Sequence, residues 1–217
     1  MKKLFLLLSL LLLTKARAQE FVKDTTKYEH YKFETGIVMP LGNLQSKIGP
    51  SQQYGFWYRT RIEHNDLLDL GFNIMVPKVQ NSFVYTGKDS IFNVKAKGIT
   101  IQVGFRVNKL YYFKLFQKKA IIEWCSTYGA SFFSFEDKEN PENVSGYYAD
   151  ENGSYSYHID TNTKALSCIY AAQGIGFTSK NIGIAIHYNF TPYNWFTKRI
   201  DNQFGKSSLS VLLSYKL

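Results

Sequence analysis

Apolar residues fall at every second position in stretch after stretch of this chain, and that period constrains the fold more than any other feature. Residues 207–217 read SSLSVLLSYKL. Leu209, Val211, Leu213, Tyr215 and Leu217 hold one side, Ser208, Ser210, Ser214 and Lys216 the other, and Leu212 alone breaks the pattern. Successive side chains of a strand point to opposite faces, so a period of two predicts a strand with one apolar and one polar face. The pattern returns around residues 33–41, 54–63, 68–76, 98–108 and 182–190, and more weakly at 120–132 and 165–177. In the last of these Ile169, Ile175 and Phe177 share their parity with Gln173, so its facing is ambiguous. The count is eight strands.

The connections alternate in length. Short links follow the second, fourth and sixth strands: 64–66, a compact basic stretch at 109–119, and 179–181. The others, at about 42–53, 78–92, 136–164 and 191–206, are long and polar. Such an even meander has all its short turns at one end and all its long loops at the other, with both termini at the short-turn end.

Two barrels fit this pattern, and they differ in which face is inside. In a water-soluble lipocalin-like barrel the aliphatic faces fill the interior. In a membrane barrel they meet lipid, and the small and charged residues fill the lumen. Here the apolar face carries large residues, while the other is rich in Gly, Ser, Ala and Thr. An eight-stranded interior is narrow and takes the small set. The polar face also mixes acids and bases: Glu34, Arg59, Arg61, Glu63, Asp69, Arg106, Glu123 and His187, with Lys216 at the rim. Buried charges need partners, and a mixed set supplies them. Phe33, Tyr54, Tyr111, Tyr112, Phe132, Tyr188, Phe190 and Tyr215 cluster near strand ends, as interfacial girdles do. The expectation is an all-β, eight-stranded antiparallel up-and-down transmembrane β-barrel.

Export is expected as well. Lys2 and Lys3, an apolar run over Leu4–Leu13 and the Ala16-Arg17-Ala18 site make a secretory signal peptide cut after Ala18. The run is too short to span a bilayer as a helix, which takes roughly 20 residues. The domain plan is therefore signal peptide at 1–18, a periplasmic N-terminal segment at 19–31 and the barrel at 32–217. Removing Lys2, Lys3, Lys15 and Arg17 lowers the formal charge from +9 by four. A modest excess of that kind does not point to nucleic acid.

Essentially the whole mature chain resembles the small eight-stranded bacterial outer-membrane barrels of the outer membrane protein A and X type. More narrowly, its first strand resembles that of PorT-like barrel domains in Gly36-Ile37-Val38-Met39-Pro40-Leu41-Gly42. The resemblance implies residence in the bacterial outer membrane, contact with its lipid, and recognition of the C-terminal strand by the barrel-assembly machinery. That strand ends on Leu217 where the family usually has an aromatic residue, with Tyr215 two positions earlier. A role as accessory of a secretion or assembly system is implied only by the PorT-like resemblance.

Chemistry-bearing residues are sparse. His158 lies near Ser154, Ser156 and Asp160, His187 has lumen parity, and His30 and His64 fall at the short-turn end. No base stands beside a nucleophile with an orienting acid, so no enzyme is expected, and no cofactor or metal. A narrow pore would be lined by Arg59, Arg61 and Glu123; a structural network plugging the lumen is the plainer reading. The loop 136–164 holds seven acids against Lys138 and Lys164, without the D-x-D-x-D-G spacing of a calcium loop. Asn152-Gly153 predicts a hairpin in it that rises above the membrane. Its Tyr147, Tyr148, Tyr155 and Tyr157 either contact an extracellular or secretion-system partner or pack the hairpin. Cys125 and Cys168 fall in neighbouring strands, either as a disulfide or as two buried thiols.

Overall fold

The computed structural model describes residues 30–63, 65–77, 80–86, 91–94, 96–115, 118–137, 145–149, 155–159, 163–195, 198–200 and 204–217. The expected signal peptide lies outside them, as does His64. In chain order the elements are β1 (Tyr31–Leu41), a short helix α1 (Asn43–Lys47), β2 (Ser51–Arg61), β3 (Asp66–Val76), β4 (Phe83–Thr86), β5 (Ile91–Val94), β6 (Ala96–Leu115), β7 (Lys118–Asp137), β8 (Ser145–Ala149), β9 (Tyr155–Ile159), β10 (Thr163–Ser179), β11 (Ile182–Phe190) and β12 (Ser207–Lys216).

β1, β2, β3, β6, β7, β10, β11 and β12 close into an antiparallel barrel, each paired with the next along that series. β12 returns to β1 in a register running from Lys32 opposite Lys216 to Leu41 opposite Ser207, so no edge stays open. The remaining strands form two separate hairpins, β4–β5 and β8–β9, in the loops at the long-loop end. β8 and β9 pair from Ser145 opposite Ile159 to Ala149 opposite Tyr155, while the expected turn at Asn152-Gly153 lies outside the described residues; β4–β5 was not foreseen.

The alternation translates directly into facing. Along β1 and β11 buried and exposed residues alternate almost without break. Exposed side chains are the large apolar ones: Phe33, Ile37, Leu70, Phe105, Ile175, Ile184 and Leu213 among many. Buried ones on the same strands include Lys32, Glu34, Asp69, Arg106, Glu123 and His187. This barrel therefore carries its oil outside and its charge inside. Leu212, out of pattern in the sequence, is fully buried in the interior, opposite Gly36 and Ala185.

One expectation needs correction, and one open point is decided. The stretch 109–119 is not a compact link but the end of a ribbon, in which β6 runs to Leu115 and β7 starts at Lys118. Beyond Lys109, β6 has no partner on β3, and before Ala120 β7 has none on β10. The ribbon thus projects past the rim, where no buried face imposes a period of two. The ambiguity of β10 is also resolved: Gln173 points outward and exposed, while Cys168, Tyr170 and Thr178 point in. Ser126, directly opposite on β7, donates a hydrogen bond of 3.0 Å to the Gln173 amide oxygen.

Candidate functional site

The interior is filled in three layers. The first, at the short-turn end, is ionic. Arg59 on β2 and Asp69 on β3 are register partners, joined through two of the guanidinium nitrogens, Nε and Nη2, at 2.8 and 3.0 Å. Arg106 on β6 grips Glu34 on β1 in the same two-pronged way, at 2.7 and 3.0 Å. Its Nε also donates to Thr127 at 3.1 Å, and its guanidinium carbon sits 4.1 Å from the centre of the Trp57 ring. The indole N–H of Trp57 donates to Glu34 as well, at 3.0 Å. A planar, permanently charged guanidinium suits such bidentate, stacked sites better than an ammonium does.

Glu123 on β7 is the hub. It faces Lys32 at 3.3 Å, Arg59 at 3.3 Å and Lys216, with Thr178 donating at 3.5 Å. Lys32 reaches Glu34 too, at 2.9 Å. Lys32 and Lys216 are directly opposite on β1 and β12, the strands that close the barrel. Like charges facing each other across a ladder are destabilising. Here one carboxylate from the far side of the lumen holds both.

The second layer is neutral and polar. Tyr170 donates to Asn189 at 3.2 Å, Asn189 to Ser210 at 2.6 Å, and Ser210 to Gln53 at 3.2 Å. His187, 1% exposed, lies over Gly174, where any Cβ would collide with the imidazole. Gly71 plays the same part under Trp57: a Cβ there would strike the Phe56 carbonyl oxygen and the indole.

The third layer, at the long-loop end, is apolar. Inward-facing Phe133, Phe135, Leu166 and Cys168 of the barrel pack with Leu44, Ile48, Phe83, Tyr85, Tyr193, Ile200 and Phe204 from the loops. Rings meet edge-on, Phe83 with Phe204 at 4.9 Å and with Phe135 at 5.5 Å. Hydrogen bonds stitch the loops together: Gln80 N–H to the Lys47 carbonyl at 2.9 Å and Thr86 N–H to that of Arg199 at 2.6 Å. The expectation of a polar lumen therefore holds for the lower layers only, because loop residues cover the mouth with a core of their own.

Of the residues expected in the charge network, Glu34, Arg59, Asp69, Arg106 and Glu123 converge, and His187 lies buried a layer above. Arg61 is half-buried, and Glu63 is exposed in the turn beyond β2 and stands outside the network. Lys32 and Trp57 were missed. Lys32 shares the parity of Glu34 one step before the assumed strand start, and Trp57 is a bulky apolar residue on the polar parity. Cys125 and Cys168 are both free and buried. Cys125 is level with Gly174 and Cys168 with Ser131, six residues apart along the ladder. That is about 20 Å at the usual rise per residue, beyond the roughly 7 Å a disulfide tolerates between Cα atoms. The register sets Tyr147 opposite Tyr157 and Tyr155 opposite Ala149, while the surroundings of these side chains lie outside the described part. Among the described residues no cluster of His, Cys, Asp and Glu could hold a metal ion. No family model matches the chain, and no curated protein does.

Proposed function

We propose that the protein is an integral β-barrel of the bacterial outer membrane, exported through a cleaved signal peptide. Its interior is sealed, and it acts structurally or through the surface at its long-loop end, not as an enzyme. The observation that carries this reading is the inverted facing, with large apolar side chains outside and seven ionised groups inside. A soluble barrel with that surface would expose far more contiguous apolar area than a monomer tolerates. Exposed Tyr58, Tyr111 and Tyr215 toward one end, and Phe132, Tyr188 and Trp195 toward the other, suit the two interfaces of a bilayer. Strands of 9–11 residues such as β1, β3 and β11 suit a tilted crossing. On this reading the short turns and both chain ends are periplasmic and the long loops extracellular. The PorT-like likeness of the first strand belongs to the same reading, and an accessory role in secretion would be exercised through the loops.

The deciding experiment is fractionation of cells producing the full chain, with mobility on gels run with and without boiling. Recovery in outer membranes, with a folded band that shifts on boiling, is the expected result. Recovery in the soluble periplasmic or extracellular fraction would overturn the proposal.

A further inference from the structure

Outside the barrel, at the long-loop end, a groove of about 610 Å³ opens between the end of β1, the start of β12 and the loop after β11. Leu41, Tyr188 and Ser207 bring outward-facing strand positions to it, and Trp195, Gly205 and Lys206 come from the loop. Three features shape it. Gly205 takes a left-handed backbone (φ 93°) against α1, where a Cβ would run into the backbone of Leu44. Tyr188 donates to Ser207 at 2.8 Å, which fixes its ring across the β11–β12 ladder. Trp195, 57% exposed, stands edge-on to Phe190 at 5.4 Å.

The charge in the groove is one-sided. Lys206 is exposed, 5.6 Å from the Phe190 ring centre, and among the described residues the lining contains no acid. The upper edge of an apolar band is where a bilayer passes from hydrocarbon to headgroup, and where Trp, Tyr and Lys are favoured. Resting on the membrane reading above, we infer that this groove holds the phosphate-bearing headgroup of a membrane lipid with net negative charge. Lys206 pairs with the phosphate, Trp195 and Tyr188 flank the glycerol or sugar region, and Leu41 meets the start of an acyl chain. In a zwitterionic headgroup such as phosphocholine the phosphate's charge is already offset by the lipid's own ammonium, whereas a net-anionic headgroup leaves it for Lys206, so the site discriminates by net charge.

The test uses the refolded full chain with vesicles of phosphatidylcholine alone or with added phosphatidylglycerol, followed by native mass spectrometry of lipid kept after mild detergent extraction. Wild type is expected to retain phosphatidylglycerol in preference to phosphatidylcholine. Lys206→Gln and Trp195→Ala should lose that preference several-fold while keeping the heat-shifted mobility of the folded barrel. Lys180→Ala, at the opposite end, should keep it. Equal retention of the two lipids by wild type, or an unchanged preference in Lys206→Gln, would overturn the inference. So would full displacement by inorganic phosphate, which would make this a site for the free ion. A chain that fails to enter phosphatidylcholine vesicles at all would instead defeat the membrane reading.

Discussion

Glu123 is the residue on which most of the buried charge depends, because three cations converge on it from β1, β2 and β12. Glu123→Gln keeps the shape and removes the charge, taking the carboxylate from Lys216 and one of two carboxylates from Lys32 and from Arg59. Breaking a buried ion pair by removing one partner costs about 3–5 kcal/mol. The variant should therefore unfold at clearly lower guanidinium concentration, measured by intrinsic fluorescence. Adding Lys216→Met to it should recover part of the loss, since the two sites are coupled through contact. An unchanged midpoint for Glu123→Gln would show the network to be ornamental. Gly174→Leu tests space instead of charge: the added side chain must displace His187, and the folded, heat-shifted band should be lost. The cysteines offer a check on layering. Both are buried and separate, so neither should react with a maleimide in the folded barrel, and both should react after denaturation without any reductant.

Among elements, the loops of the long-loop end behave as a small apolar domain set into the barrel's mouth. Phe133 belongs to β7 yet packs against Tyr193 of the loop after β11, with ring centres 5.9 Å apart. Phe133→Ala should cost about 3–5 kcal/mol, the usual range for an aromatic removed from a packed core. Deletion of 145–159, whose described strands β8 and β9 pair with each other in a sheet apart from the barrel, should leave the barrel's thermal midpoint within a few degrees of wild type. The contrast between these elements also shows what the sequence could reveal. Strands with one apolar face turned outward and one polar face in the interior must alternate, so β1, β3, β11 and the closing of β12 on β1 were legible. Parity alone placed Glu34, Arg59, Asp69, Arg106 and Glu123 together. Leu44 and Phe83 sit in elements of only five and four residues, and Phe204 lies outside any strand, so their contacts are set by long-range packing and the runs are too short for a period to mark them. The ribbon beyond Lys109 escaped because no buried face imposes a period of two on it. Glu63 misled because parity persists past the end of β2, where the chain has already turned into solvent.

For the whole molecule, a layered interior means that an ion entering from the charged end would meet an apolar cap before leaving. Planar-bilayer recording of the refolded protein should give no stepwise conductance. Enlarging the mouth by replacing Phe133, Phe135 and Tyr193 together with alanine should introduce it. Steps in the wild type would put the cap in doubt as a seal.

The opposed lysines of β1 and β12 also bear on how the barrel comes to exist. The two strands that close the barrel set like charges against each other at their rim, and a carboxylate carried by a strand from the middle of the chain holds both. Joining the ends is thus conditional on the centre being in place. A shortened cylinder that skipped β7 would find its seam electrostatically refused, so the chain carries its own check against closing too early.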